Sequence, residues 1–221
     1  MDELANWCES RGISINEKQL GQMVAVSNHL LDWNQRMNLT AITDYEGIWQ
    51  KHFADSLTLL PFLPPSQDGK FCMIDVGTGA GFPGIPLKIM RPDIEMILLD
   101  SLRKRVNFLE SVVKLLELSD IKCIHSRAED FNMIKDGRSK YAICTARAVA
   151  RLDKLCKWCM PFLAPGGHFL AMKGRDVMDE VNDARGVIRK MGGEVVEVRE
   201  VEIVPGLVHS VVVVCYTGER K

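Results

Sequence analysis

No apolar run in this 221-residue chain approaches the ~18 residues that a membrane-spanning helix needs, so no span is expected. The start, Met1-Asp2-Glu3-Leu4, has no basic stretch leading into an apolar core, and no signal peptide is expected there. Disulfide spacing is missing as well. The seven cysteines are odd in number and scattered, which fits free thiols in a reducing cytoplasm. Cys156-x-x-Cys159 has no second pair at zinc spacing. It reads as small buried apolar residues within a helix, and no metal is expected. Internal repeats and low-complexity tracts are absent. Net charge is nearly absent too: at −1 it predicts neither an anionic membrane surface nor tight nonspecific binding to nucleic acid.

What charge there is lies unevenly. Residues 1–60 carry four Lys/Arg against eight Asp/Glu, while residues 100–176 carry fifteen against nine. A basic middle between acidic ends fits one face that meets phosphate.

Two rhythms divide the chain. Asn16-Glu17-Lys18-Gln19 has the form of a capping box, and Leu20, Met23, Val24, Leu30 and Leu31 follow at helical spacing. A second helical stretch is expected from Ile48 to Leu60. Pro61, Pro64, Pro65 and Ser66-Gln67-Asp68-Gly69 then make a linker. Residues 1–65 are therefore expected to form a small helical N-terminal region, and residues 66–221 a second domain.

From Lys70 onward apolar runs alternate with helical patterns. Strands are expected at Phe71–Val76, Ile94–Leu99, Ile121–His125, Tyr141–Thr145 and His168–Met172, the last after a turn at Pro165-Gly166-Gly167. Helices are expected at Ile85–Met90, Leu102–Glu117, Leu152–Leu163 and Val177–Met191. The second helix would bury Leu102, Val106, Leu109, Val113 and Leu116. Two final strands, about Glu194–Ile203 and His209–Tyr216, are joined by Pro205-Gly206 and so should pair antiparallel. The expected fold is α/β: a mostly parallel, doubly wound, Rossmann-like sheet with a C-terminal antiparallel hairpin. That is the pattern of class I methyltransferases dependent on S-adenosylmethionine (SAM).

The loop Asp75-Val76-Gly77-Thr78-Gly79-Ala80-Gly81-Phe82-Pro83-Gly84 allows two phases. Gly79-x-Gly81-x-x-Gly84 fits a dinucleotide site, where the pyrophosphate rests on a helix N-terminus. Asp75-x-Gly77-x-Gly79-x-Gly81 fits a turn that begins where the strand ends, and points to SAM. A carboxylate entering the loop opposes a pyrophosphate but tolerates a sulfonium and an ammonium. Asp100, at the end of the second strand, is positioned to accept hydrogen bonds from both ribose hydroxyls; its other reading is a cap for the following helix. Glu129 or Asp130, after the third strand, would lie beside an adenine.

Several peptides occur together and in order: Asn38–Ile42, His52–Leu57, Asp75–Pro86, Leu98-Leu99-Asp100-Ser101-Leu102-x-Lys104-Arg105, Ser126–Glu129, Ala146-Arg147-Ala148 and Lys173-Gly174. This set resembles the RsmG (GidB) family, bacterial methyltransferases acting on a guanine N7 of 16S ribosomal RNA. The resemblance runs from about Asn16 to Tyr216. It implies SAM as cofactor, bound at positions matching Gly77, Phe82, Ala128, Glu129 and Arg147. It implies 16S rRNA as partner, within the small ribosomal subunit or an assembly intermediate, and a cytoplasmic location.

The chemistry then needs little from the protein. Guanine N7 carries an in-plane lone pair and no proton, so no general base is required, and alignment and electrostatics remain. The chain has Thr145-Ala146-Arg147-Ala148 where exocyclic-amine methyltransferases carry an Asn-Pro-Pro-Tyr type tetrapeptide. Arg103, Arg147, Arg151 and Lys173, with Lys104, Arg105 and Arg175, lie at or just after C-terminal strand ends and are expected to face RNA phosphates. His52 and Asp55 are expected to pair with each other and brace the helical region. No catalytic group is assigned. The alternatives are a SAM-dependent methyltransferase with another substrate, a non-catalytic SAM or nucleotide sensor, and an NAD(P) oxidoreductase.

Overall fold

Asn16 opens the longest helix as its spacing predicts. Its side chain accepts from the Gln19 N–H, and the Gln19 side chain accepts from the Asn16 N–H, both at 2.9 Å. The computed structural model describes residues 2–66, 69–131, 133, 137–147 and 150–218. Gln67 and Asp68 of the expected linker lie outside them. Helix α1 spans Asp2–Ser10 and α2 spans Glu17–Met37. The helical stretch expected over Ile48 to Leu60 is present as one continuous run whose middle is widened: α3 (Tyr45–Ile48), a π-helical turn (Trp49–Ala54) and α4 (Asp55–Leu57). Such wide turns recur at functional sites, and this one carries His52 into the cleft described below.

The remainder alternates as expected: β1 (Phe71–Val76), α5 (Gly84–Met90), β2 (Ile94–Asp100), α6 (Arg103–Leu115), β3 (Ile121–His125), α7 (Ala128–Phe131), β4 (Tyr141–Arg147), α8 (Leu152–Cys159), β5 (Leu163–Lys173), α9 (Met178–Lys190), β6 (Gly193–Val204) and β7 (Leu207–Tyr216). The seven strands form one sheet in the order β3-β2-β1-β4-β5-β7-β6. β1 to β5 run parallel; β7 is antiparallel to both β5 and β6. Strand order therefore reverses at β1, with β2 on one side and β4 on the other, which opens a crevice at their C-terminal ends.

Two local expectations need correction. Pro165-Gly166-Gly167 is not a turn before the strand but an irregularity within β5: Tyr141 pairs with Leu163 and Ile143 with His168. Proline and glycine inside a strand mark such bulges. On α6 the buried residues are Val106, Phe108, Leu109 and Val112, whereas Leu102 precedes the helix and is exposed. The inward stripe is thus centred one position away from the expected one, and Val113 and Leu116 sit at its border.

The sheet buries both faces. Met73, Leu98, Ile143 and Leu170 face α2, α5 and α6, together with Leu4, Trp7, Phe53 and Leu57. Ile74, Leu99, Cys144 and Phe169 face α8 and α9. Neighbours such as Met73 and Ile74 thus go to opposite sides, the period of two that a strand imposes. No helix among the described residues is long and apolar enough to cross a membrane.

Gly84 lets α5 lie close on the sheet. A Cβ there would sit 2.4 Å from Leu98 Cδ2 and 2.9 Å from Asp75 Oδ2. Gly84→Ala is therefore expected to destabilise the fold by about 1–3 kcal/mol, read as a lower midpoint in chemical denaturation; an unchanged midpoint would contradict this packing.

Candidate functional site

The glycine loop turns off β1 at Gly77, in the SAM phase. Gly77, Gly79 and Gly81 have φ of 68°, 63° and 90°, a region that side chains disfavour. The Gly77 and Thr78 N–H groups both donate to Leu99 O, at 2.8 and 3.2 Å, which ties the loop to β2. The glycines differ in what surrounds them. A Cβ on Gly81 would strike Ile85 at 2.6 Å, whereas one on Gly79 would meet no atom of the other described residues within 4 Å, its chain neighbours aside. Gly81 serves packing, and Gly79 leaves space for a ligand.

Asp75 does not enter the cleft. It is fully buried beneath the loop, where Oδ2 accepts from Thr78 Oγ1 at 2.6 Å and from Gly84 N–H at 2.9 Å. The expectation of a carboxylate facing a ligand cation is corrected: Asp75 lies on the Met73 side of β1, under the start of α5. Its Oδ1 has no hydrogen-bond partner among the described residues. Burial raises its pKa to about 6, against the lowering effect of the Thr78 and Gly84 hydrogen bonds. A folded pKa above the unfolded 3.8 means that the folded chain holds this proton more tightly. The stabilisation is complete below about pH 4 and is lost as pH rises through about 6. Asp75→Asn has no such titration. Relative to that variant, the parent should lose about 2 kcal/mol between pH 4 and pH 7. Chemical denaturation at both pH values reads this, and a pH-independent difference would contradict it.

Asp100 stands where two hollows meet. Its Oδ1 accepts from Leu102 N–H at 2.9 Å; its Oδ2 accepts from Gly79 N–H at 3.0 Å and from Arg105 Nη1 at 3.3 Å. It thus fixes both the loop and the entry to α6, and the capping role weighed from sequence is present in the Leu102 contact. One hollow, of about 160 Å³, is lined by Val76, Leu99, Ser126, Ala128, Glu129 and Trp158, among others. The other, of about 410 Å³, is lined by Leu39, Thr40, His52, Gly79, Phe82 and Arg147, among others. Both include Gly77, Asp100 and Ser101. Every residue expected to touch a cofactor lines one of them: Gly77, Gly79, Phe82, Asp100, Ala128, Glu129 and Arg147. Two adjoining hollows that share a carboxylate, with Gly77 and Gly79 of the loop along the wall, fit an elongated nucleoside with a charged tail.

Arg147 ends β4 inside a cluster that local sequence does not reveal. Its Nη1 donates to Lys51 O and to Asp55 Oδ2, each at 2.8 Å, and its Nη2 lies 3.2 Å from His52 Nδ1. The guanidinium carbon lies 5.5 Å from the Phe82 ring centroid. His52 stacks on Phe82 at 4.4 Å between centroids, and its Nε2 lies 3.0 Å from Thr40 Oγ1. A neutral ring in either tautomer can serve Thr40 Oγ1 at Nε2, by donating or accepting, while its Nδ1 faces both Arg147 Nη2 and, at 3.1 Å, Lys51 O. Burial, then the charge of Arg147, pulls the His52 pKa down to about 4, in keeping with that neutral form.

Asp55 bridges Arg147 and His209, whose Nδ1–H donates to Asp55 Oδ1. Burial favours a protonated carboxyl, but the His209 hydrogen bond and the charge of Arg147 outweigh it and hold Asp55 below the usual range. His52 and Asp55 therefore do not pair with each other as expected; the bracing runs through Arg147 and His209. Sequence reasoning missed His209, Thr40 and Trp158. Trp158 did leave a signal, since it lies off the buried stripe Leu152, Leu155, Cys156 and Cys159 of α8.

The basic residues divide. Lys173 is committed to Glu180 at 2.9 Å and to Ala150 O at 2.8 Å, and Arg147 to Asp55, so neither presents an unpaired charge to a phosphate. Arg103 is exposed at the start of α6. Arg151 is exposed and pairs with Asp183 at 2.8 Å, a solvated contact that contributes little. Ala148 of the Ala146–Ala148 motif lies outside the described residues. Cys156 and Cys159 are buried, and burial raises both thiols. No group of three or more His, Cys, Asp or Glu that could hold a metal occurs among the described residues.

Known proteins resemble the chain over most of its length. The family GidB, described as rRNA small subunit methyltransferase G, matches residues 19–206. A protein named Ribosomal RNA small subunit methyltransferase G from Alkaliphilus oremlandii (strain OhILAs) is 46% identical over 202 residues, 91% of this chain and 84% of that protein. One of the same name from Clostridium botulinum (strain Loch Maree / Type A3) is 41% identical over 219 residues, 99% of this chain and 91% of that protein. Among solved structures, M. jannaschii TYW2 in complex with AdoMet superposes with a TM-score of 0.59 at 16% identity, covering 79% of this chain and 77% of that one. A SAM dependent methyltransferase from Aquifex aeolicus gives 0.56 at 19% identity, covering 78% and 93%. At such identities the superpositions carry the fold alone.

Proposed function

The chain belongs to the GidB family, rRNA small subunit methyltransferase G, and we propose that it transfers a methyl group from SAM to N7 of a guanine in 16S ribosomal RNA. The observation that carries this reading is the pair of hollows joined at Gly77, Asp100 and Ser101. The residues there fit the donor. Asp100 keeps acceptor capacity for ribose hydroxyls, Ala128 and Glu129 line the side for the adenine, and Gly79 leaves the main chain open to the tail. Residues 66–221 act as the methyltransferase domain, and residues 1–65 as a helical layer that contributes Leu39, Thr40 and His52 to the second hollow.

Bound SAM would supply an electrophilic methyl, which N7 accepts with its lone pair as positive charge passes from sulfur to the ring. No proton moves in this transfer, and the site matches that need. Of the described residues lining the second hollow, the two with basic capability are committed. His52 is engaged by Thr40 and Arg147, and Asp100 by Gly79, Leu102 and Arg105. What the chain contributes is alignment: Arg147 and Phe82 fix the wall of that hollow. N7 lies on the major-groove edge, which A-form RNA hides, so the target guanine is presented in a loop or splayed out. Arg103 and Arg151, exposed beside the cleft, are the phosphate contacts of this reading. The modest total charge fits an RNA held in an assembled small subunit.

The test uses SAM labelled in the methyl group and small ribosomal subunits from a strain lacking this activity. Label is expected in RNA, with none incorporated when the subunits are first treated with ribonuclease. Transfer that survives ribonuclease would assign a protein or small-molecule substrate. Tight donor binding without transfer to any ribosomal material would make the chain a sensor.

A further inference from the structure

Three segments distant in sequence converge on one carboxylate. Asp55 opens α4 directly after the π-helical turn, Arg147 comes from the end of β4 and His209 from β7. Asp55 and His209 are 8% exposed each, and the Arg147 side chain is 20% exposed. Asp55 gives Oδ2 to Arg147 and Oδ1 to His209. His209 Nε2 lies 3.2 Å from Thr58 Oγ1, whose hydroxyl donates to Asp55 O at 2.6 Å. Neither Asp55 nor His209 lines either hollow.

We propose that Asp55 and His209 are positioning residues for methyl transfer, holding the Arg147 guanidinium, and through it the Phe82 and His52 rings, in register with the reacting methyl. The proposal rests on the reading of the cleft given above. A guanidinium has five N–H donors. Two contacts from Nη1 and one with His52 leave Nε and one Nη2 donor uncommitted among the described residues, on a side chain that lines the second hollow. The orientation of that remaining edge depends on where Asp55 holds the fork, and Asp55 depends on His209. A bare carboxylate between two mobile partners would let the fork rock. A carboxylate pinned from both sides does not. Positioning of this kind affects the rate, because a displacement near 1 Å costs about a hundredfold. It affects donor affinity much less, since the Asp100, Ala128 and Glu129 side of the cleft is untouched.

The test compares Asp55→Asn, His209→Leu and His209→Asn in the full chain. The asparagine at 209 keeps a donor near the place of Nδ1. The rate at saturating SAM is measured on small subunits, donor affinity by calorimetry, and folded fraction by thermal melting. Asp55→Asn and His209→Leu should lower kcat about 10- to 100-fold with the donor Kd within about threefold, and His209→Asn should retain most of the rate. If one variant does not fold, the others decide. Rates within twofold of the parent in both Asp55→Asn and His209→Leu overturn the proposal. So does a loss confined to donor affinity, or a His209→Asn variant as slow as His209→Leu. A parent chain that binds SAM without methylating ribosomal RNA would instead remove the reading on which the proposal rests, and leave the variants without a rate to compare.

Discussion

Arg147→Ala is expected to lower the rate of methyl transfer at least about a hundredfold at saturating donor. The side chain does three things at once. It links β4 to the N-terminal layer through Lys51 O and Asp55, orients His52, and lies against Phe82. Alanine removes the fork and leaves Asp55 buried with His209 alone. Breaking a buried pair costs about 3–5 kcal/mol; the remaining His209 partner puts this case at the low end, about 3 kcal/mol. Arg147→Lys restores charge without the planar fork, so it should recover most of the stability and little of the rate. Single-turnover rates and denaturation midpoints read the two effects separately. A rate within threefold of the parent in Arg147→Ala would contradict the role given to this residue.

Asp100→Asn is expected to weaken SAM binding about 100- to 1000-fold. The carboxylate is 2% exposed and accepts from two backbone N–H groups and Arg105. An amide turns one accepting oxygen into a donor, which must then face Leu102 N–H or Gly79 N–H. The loop loses its tie to α6, and the ribose loses a charged acceptor. Hydrogen bonds to charged groups contribute about 1.5–3 kcal/mol each, and two at the low end, together about 3–4 kcal/mol, give the stated range. Calorimetric titration with SAM is the measurement. A Kd within fivefold of the parent would remove Asp100 from the donor site. The rate at saturation should fall far less than the affinity, which separates this variant from Arg147→Ala.

How much of this could be read from the chain follows from the range of the forces involved. The capping box at Asn16 and the parallel strands are local or periodic, and they stand as expected. The phase of the glycine loop was legible because Gly77 follows β1 directly and carries the positive φ that the turn needs. The direction of Asp75 was not, although the strand's period of two places it on the Met73 side. What decides its role is Gly84, nine residues later, whose missing Cβ lets α5 close over the carboxylate. The bracing of Asp55 was further out of reach. Its partner His209 is 154 positions away, and nothing in either segment's periodicity pairs them. The π-helical turn that carries His52 into the cleft has no sequence signature of its own. Charge counting placed Lys173 among the RNA contacts, but it took Glu180 on α9 to reveal a structural ion pair.

The central claim is the position of the transferred methyl. Small subunits from a strain lacking the activity, incubated with the chain and labelled SAM, can have their 16S rRNA digested to nucleosides and resolved by mass. The account predicts label in 7-methylguanosine, close to one per subunit. Label on another base would contradict the claimed position directly; label on an exocyclic amine or on ribose would contradict it also because those transfers require a proton acceptor, and the two candidates among the described residues of the second hollow, His52 and Asp100, are engaged elsewhere.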